Sequence, residues 1–129
     1  MNNLQPLPVV VGVCGDAGGA EAVAPVMRVL QEEGRVQICA FAYREAIEVW
    51  KRYDIPYQTL PESLTTRHAG ELILGVHASL VLAGTSYNSV QLEKRFTAAA
   101  KESSTLSLVV LDFWTNYLLR FQDSEGKLV

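Results

Sequence analysis

Residues 8–19 read PVVVGVCGDAGG. The first part, Pro8 to Cys14, is a nearly continuous β-branched run, the pattern of a strand buried on both faces of a parallel sheet. The second, Gly15 to Gly19, breaks that run with a glycine-rich turn. Beyond the turn the period changes: between Ala20 and Glu33, Val23, Val26, Met27 and Leu30 recur at helical spacing, and Gly34 stands where a helix stops. A buried strand, a glycine turn and an amphipathic helix are the opening half of a βαβ unit.

The alternation continues along the chain. Val36 to Ala42 (VQICAFA) predicts a second strand, and Ala46, Val49, Trp50 and Tyr53 mark a second helix that Pro56 ends before a short third strand, Tyr57 to Leu60. Beyond Pro61, Ser63 is placed to cap a helix with Ala69, Leu72, Ile73 and Val76 on one face. Ser79 to Ala83 is the fourth strand. The loop Gly84 to Ser89 leads into a helix with Leu92, Phe96 and Ala99 inward and Glu93, Lys94, Arg95 and Lys101 outward, and Leu106 to Leu111 is the fifth strand. Parallel neighbours need a crossover, and short strand–helix–strand connections supply it. The pattern predicts an α/β three-layer sandwich, Rossmann-like, with a parallel five-stranded sheet in the order 3-2-1-4-5. Residues 1–121 form that domain, and residues 122–129 (QDSEGKLV) are a polar tail or the start of a continuation.

Composition narrows the functional classes. The chain has 129 residues, 49% hydrophobic and 19% charged, with a net charge of −3; its pI is about 5.3 and its mean hydropathy +0.13. That is one well-packed domain without the basic stripe that a nucleic acid or an anionic membrane requires. The amino-terminal MNNLQPLPVVV has no basic region before its apolar run, so no export signal is read. The longest apolar stretch, Leu72 to Gly84, is interrupted by His77 and Ser79 and falls short of the ~20 residues that span a bilayer. A cytoplasmic location is expected. Cys14 and Cys39 are then reduced, buried thiols rather than a disulfide.

In an open parallel sheet, ligands bind at the carboxyl ends of the strands where the strand order reverses, here between the first and fourth strands. The most polar loops fall on that edge: Gly15 to Gly19, Gly84 to Ser89 (GTSYNS) and Asp112 to Tyr117 (DFWTNY). Tyr43-Arg44 and Pro61-Glu62, after the second and third strands, are plainer. Gly15, Gly18 and Gly19 either let backbone amides approach an anion or sugar hydroxyl at a helix amino terminus, or only permit a tight turn with Asp16 as its cap. Thr85 and Ser86 either meet a phosphate or sugar oxygen or belong to an ordinary helix start capped by Asn88 or Ser89. The loops match neither G-x-G-x-x-G nor a P-loop, and no acid closes the second strand, so no cofactor is expected. Ser86 lacks the second glycine of G-x-S-x-G, and both His68 and His77 precede Asp112, against the order of a hydrolase triad. His68 and Glu71 lie one helical turn apart, but two ligands do not make a metal site. Asp112 ends an apolar strand, Trp114 and Tyr117 are either a stacking wall or edge packing, and Arg120 is the one cation of its segment.

The string GTS (Gly84 to Ser86), then LEK (Leu92 to Lys94), AAK (Ala99 to Lys101) and LDFWTNYLLRF (Leu111 to Phe121) resembles the amino-terminal domain of GT-B-like bacterial proteins. These are related to glycosyltransferases and UDP-N-acetylglucosamine 2-epimerases, and GDAGGAE (Gly15 to Glu21) is similar to their first βα loop. The resemblance implies that Gly15, Asp16, Gly18, Gly19, Gly84, Thr85, Ser86, Asp112, Trp114, Asn116 and Arg120 face an interdomain cleft. It also implies a sugar, acceptor or sugar-nucleotide ligand, with Asp112 as hydrogen-bond acceptor or general base. GT-B enzymes hold the sugar nucleotide mainly on a second domain, so this domain is expected to be incomplete for catalysis alone. A carboxyl-terminal domain or a homodimer would supply the other wall. The alternatives are a non-catalytic protein-interaction module that docks through Phe113, Trp114 and Leu118, and a small hydrolase.

Overall fold

A computed structural model describes residues 6–111 and 122–128. The elements are β1 (Val9–Cys14), α1 (Ala17–Glu33), β2 (Gln37–Ala42), α2 (Ala46–Arg52), β3 (Tyr57–Thr59), α3 (Thr66–Gly75), β4 (Ala78–Gly84), α4 (Leu92–Glu102) and β5 (Leu106–Val110). All strand pairs are parallel and the order is β3-β2-β1-β4-β5, as the alternation predicts. Because side chains alternate across a strand, β1 feeds two cores. Val11 and Val13 join Phe41, Val81, Ile73 and Phe96 beneath α3 and α4. Val10 and Cys14 join Ala40, Leu82, Val23, Met27 and Trp50 beneath α1 and α2. Cys14 is buried, Cys39 half-buried, and both are free thiols.

Two helix starts differ from the sequence-based expectation. α1 begins at Ala17 rather than Ala20, which places Gly18 and Gly19 inside its first turn. The reason is a close approach: a Cβ on Gly19 would stand 2.8 Å from the Thr85 carbonyl oxygen, and one on Gly84 would stand 2.9 Å from the Gly19 Cα. The end of β4 and the first turn of α1 therefore pack backbone to backbone. α3 begins after Thr65, not Ser63, because the Thr65 hydroxyl accepts the His68 amide proton at 3.1 Å. α1 ends as predicted, with Gly34 at φ 70° donating its N–H to the Leu30 carbonyl.

The edge strand β5 is covered unevenly. Its register puts Leu106 and Leu108 beside Leu80 and Leu82 on the α1 side of the sheet, yet they are 74% and 55% exposed. Val26 and Val29 of α1 are also exposed.

The Gly19–Gly84 approach makes a stability prediction. Gly84→Ala should destabilise the fold by about 1–3 kcal/mol in urea melts, because rigid backbone rather than a flexible side chain must yield. Gly75→Ala meets nothing within 4 Å. It should be neutral or stabilising by up to about 1 kcal/mol.

Candidate functional site

Parallel strands deliver their loops to one edge, so the described segments after β1, β2, β3 and β4 share it. The tightest convergence lies where the strand order reverses, between β1 and β4. At its centre is Glu93, in the first turn of α4, turned inward and 3% exposed. One carboxyl oxygen, Oε2, accepts the Gly15 amide proton at 3.0 Å. The other, Oε1, accepts from the Ser86 hydroxyl at 3.1 Å and from the Tyr43 phenol. Three loops are thus tied to one side chain.

The direction of the Tyr43 bond is fixed by counting. A phenol oxygen has two lone pairs and one proton. The Leu92 amide donates to it at 2.9 Å and the Asn88 carboxamide at 3.2 Å. Both lone pairs are used, so the proton goes to Glu93. Tyr43 is fully buried, and its ring lies where a Cβ on Gly15 would come within 2.1 Å of it. Gly15 is therefore required by the protein's own packing.

Asp16 sits at the N-cap position of α1 but makes no cap bond to that helix. Its carboxylate reaches across the edge instead, accepting from the Tyr87 amide at 2.8 Å and the Asn88 side chain at 2.6 Å. Of the two readings of this turn, the one in which Asp16 caps α1 is not what the structure shows: its donors are the Tyr87 amide and the Asn88 carboxamide. Asn88 in turn accepts from the Val90 and Gln91 amides at 2.9 and 2.7 Å, shaping the entry to α4. On the outer rim Arg44 bonds Glu62 at 2.8 Å and Ser89 at 3.4 Å, joining the loops after β2, β3 and β4. Beside this rim a cleft of about 630 Å³ opens between α4 and residues 122–124, lined among others by Asn88, Ser89, Gln91, Lys94 and Arg95.

The electrostatics are set by burial. It raises the Glu93 carboxyl above the ordinary glutamate range, although bonds from Tyr43, Ser86 and Gly15 pull the other way. Burial, then the charge of Glu93, raises the Tyr43 phenol. Lys94 is lowered, chiefly by burial. No ion pair among the described residues includes Glu93.

The edge gathers Gly15, Asp16, Gly19, Gly84, Thr85 and Ser86 as expected, but several are spent on the protein itself. Gly19 and Gly84 touch each other, Gly15 makes room for Tyr43, and Thr85 and Ser86 are each 3% exposed. Gly18 is exposed in the first turn of α1. The Ser86 hydroxyl faces a carboxylate, not the imidazole base a serine hydrolase needs. Asp112, Trp114, Asn116 and Arg120 lie outside the described residues, as do Phe113, Tyr117 and Leu118. Among the described residues no group of three His, Cys, Asp or Glu side chains is placed to hold a metal ion. Glu71 is turned to Arg67 at 3.4 Å. No helix among the described residues is long and apolar enough to cross a membrane.

Three residues of the site escape the sequence analysis, Arg44 of the outer rim among them. Glu93 is buried, not on the outer face; its spacing to Phe96, Thr97 and Ala100 puts it on the inward arc, a signal its charge masks. Tyr43, in the loop that reads as plain, is the hub.

Comparison with known structures defines the class: a Rossmann-like α/β domain of the kind found in GT-B proteins. The fold matches a UDP-GlcNAc 2-epimerase from Neisseria meningitidis bound to UDP-GlcNAc at TM-score 0.60 and 16% identity, over 79% of this chain and 32% of that one. It matches S. aureus MnaA with UDP at TM-score 0.67 and 14% identity, over 81% and 29% of the two chains. Acinetobacter baumannii MurG matches at TM-score 0.65 and 16% identity, over 82% and 35%. The chain spans about a third of the length of these proteins, and at such identities the likeness is one of fold. No family profile and no curated protein matches the sequence.

Removing the hub hydroxyl tests the network. Tyr43→Phe leaves the Leu92 amide and the Asn88 amide proton without their acceptor and should cost about 1–3 kcal/mol in denaturant melts. Tyr87→Phe alters a side chain 54% exposed and should stay within about 0.5 kcal/mol of the parent.

Proposed function

We propose that this chain is a GT-B-type Rossmann-like domain that binds a sugar, a sugar acceptor or a fragment of a sugar nucleotide at the carboxyl edge of its sheet. The observation that carries this reading is the convergence of the β1, β2 and β4 loops at the strand-order reversal, with Asp16, Arg44, Asn88 and Ser89 at its mouth. Carboxylate, guanidinium and hydroxyl groups match the donors and acceptors of a sugar ring, on a frame held by the Asn88 carboxamide, which is itself spent on Asp16, Tyr43, Val90 and Gln91. The similarity in fold to proteins solved with UDP and UDP-GlcNAc supports the same ligand class.

Glycosyl transfer or epimerisation needs reacting groups on both sides of the sugar, so this domain acts with a further domain or a second copy that closes the cleft. Asp112, two residues beyond Val110 in sequence, is the proposed hydrogen-bond acceptor or general base of the domain. Trp114, Asn116 and Arg120 are its proposed ligand contacts. A cytoplasmic site of action fits the reduced thiols. The competing proposal, an interaction module, draws on the exposed Leu106 and Leu108 of β5 and the exposed Val26 and Val29 of α1.

Amide chemical-shift titration with UDP, UDP-GlcNAc and GlcNAc distinguishes the two. The ligand reading expects saturable shifts at Gly15, Asp16, Arg44 and Tyr87 to Ser89, weakened about tenfold or more by Asp112→Asn, the loss of one charged hydrogen bond. Absence of shifts with all three, together with concentration-dependent association broadening Leu106 and Leu108, would support the interaction module instead.

A further inference from the structure

We propose that the cleft between α4 and residues 122–124 is an anion subsite that takes the phosphate of a phosphorylated sugar or sugar nucleotide, with Arg95 as the residue that binds it. The inference deepens the proposed function and rests on it only for naming the anion as a phosphate ester.

The cleft is built on one face of α4. Gln91, Lys94, Arg95 and Ala98 follow one another at i, i+3, i+4 and i+7, the spacing of a single helical stripe, while Phe96, Thr97 and Ala100 are buried on the other side. That stripe, Thr66 at the start of α3, the loop before α4 and residues 122–124 line about 630 Å³, a volume within the range of small-ligand pockets. Two of the lining residues are cationic, Lys94 and Arg95, and one is acidic, Asp123, so the described lining carries an excess of positive charge. Lys94 donates to the Gln91 side chain at 2.7 Å and to the Gln122 carbonyl, and so contributes charge more than open donors. Asp123 turns one carboxyl oxygen back to the Glu125 and Lys127 amides, both at 2.9 Å. Arg95 differs from both. It is half-buried, one of its nitrogens donates to the Leu64 carbonyl, and no ion pair among the described residues includes it. Arg28, Arg44, Arg52 and Arg67, by contrast, each pair with a glutamate.

A guanidinium carries five N–H donors in a planar fork, and one bond to a carbonyl leaves most of that fork for a ligand. Partly removed from water and without a carboxylate of its own, it gains most from an oxyanion that accepts two parallel N–H bonds, and a phosphate has that geometry. Thr66 and Ser124 add hydroxyl donors to the same lining. The cleft also adjoins the sugar-binding edge proposed above. Tyr87, Asn88 and Ser89 line it, and the same residues form the rim: the Tyr87 amide and the Asn88 side chain bond Asp16, and Ser89 accepts from Arg44 at 3.4 Å. A sugar on the rim and a phosphate in the cleft are therefore neighbouring parts of one ligand. The glycine turn after β1 competes poorly for that charge, since Gly15 and Gly19 are taken up by contacts with Tyr43 and Thr85.

The test uses an anion without a sugar, so its failure is separable from failure of sugar binding. Inorganic pyrophosphate is titrated at constant ionic strength while NMR follows the Arg95 Nε–H signal and the Ser89 and Ser124 amides. The Gln37 amide, bonded to Pro8 at 2.8 Å on the opposite edge of the sheet, serves as control. The subsite predicts saturable shifts at Arg95, Ser89 and Ser124 with Gln37 unmoved. Arg95→Gln should weaken binding about tenfold or more, and Arg95→Lys by less, because charge is kept and only the fork is lost. GlcNAc 1-phosphate and UDP should move the Arg95 signal where GlcNAc does not, and the one that does so at lower concentration tells a sugar phosphate from a nucleotide. Shifts at Arg95 with pyrophosphate but none at Asp16 and Arg44 with GlcNAc would uphold the anion subsite and count against the sugar reading. No saturable shift at Arg95, an unchanged affinity in R95Q, or pyrophosphate shifts confined to Ala17 and Gly18 at the start of α1 would each overturn the inference. If R95Q fails to fold through loss of the Leu64 bond, the Arg95 titration in the unaltered protein decides alone.

Discussion

A single carboxyl group, that of Glu93, is bonded to the amide that ends β1, the phenol just after β2 and the hydroxyl just after β4. In a parallel sheet the strands fix only where loops begin; the course of each loop beyond its strand depends on bonds between loops. Here the buried ones among those bonds centre on the Glu93 carboxyl and the Tyr43 phenol, while Asp16 and Arg44 tie the loops at the rim. A low local dielectric makes each of them count, and it makes any unsatisfied member costly. The tight approaches around the network serve the same end. Gly15 leaves room for the Tyr43 ring, and Gly19 and Gly84 let α1 and β4 touch. The carboxyl edge is thereby a rigid surface on which Asp16, Asn88 and Ser89 hold fixed positions, which is what recognition of a small polar ligand requires.

Much of this fold is legible in the sequence. PVVVGVC and LVLAG are apolar because β1 and β4 are central and buried on both sides, and helical spacing in residues 23–30 and 92–100 reports the faces that cover them. Element ends are less legible. α1 starts early because Gly18 and Gly19 enter its first turn, an outcome set by the packing against β4 and not by local propensity. The site is only half legible. Its location is a consequence of topology, and Asp16 and Ser86 stand out by type. Glu93 does not, since charge at a helix start ordinarily marks a solvated face, and Tyr43 does not, since its partners lie about 50 residues away in sequence. Long-range polar pairing leaves no periodic signature in a single chain.

The glycines carry a related lesson. A glycine-rich turn before a helix suggests a cradle for an anion, yet two of its glycines, Gly15 and Gly19, are consumed by close contacts within the protein. In the proposed reading, the groups that meet a ligand are then the polar side chains of the rim, which favours hydroxyl and amide recognition over a phosphate cradle. The chain spans about a third of the length of the structures it resembles, and the likeness to them is one of fold.

The account depends on Tyr43 and Glu93 acting as one unit, and a double-mutant cycle in urea denaturation measures that directly. Tyr43→Phe and Glu93→Gln, made singly and together, should give a coupling energy of about 1–3 kcal/mol, with the double variant less destabilised than the two singles added. Additive effects, with coupling near zero, would mean that the phenol and the carboxyl stabilise their loops independently and that no shared network holds the edge.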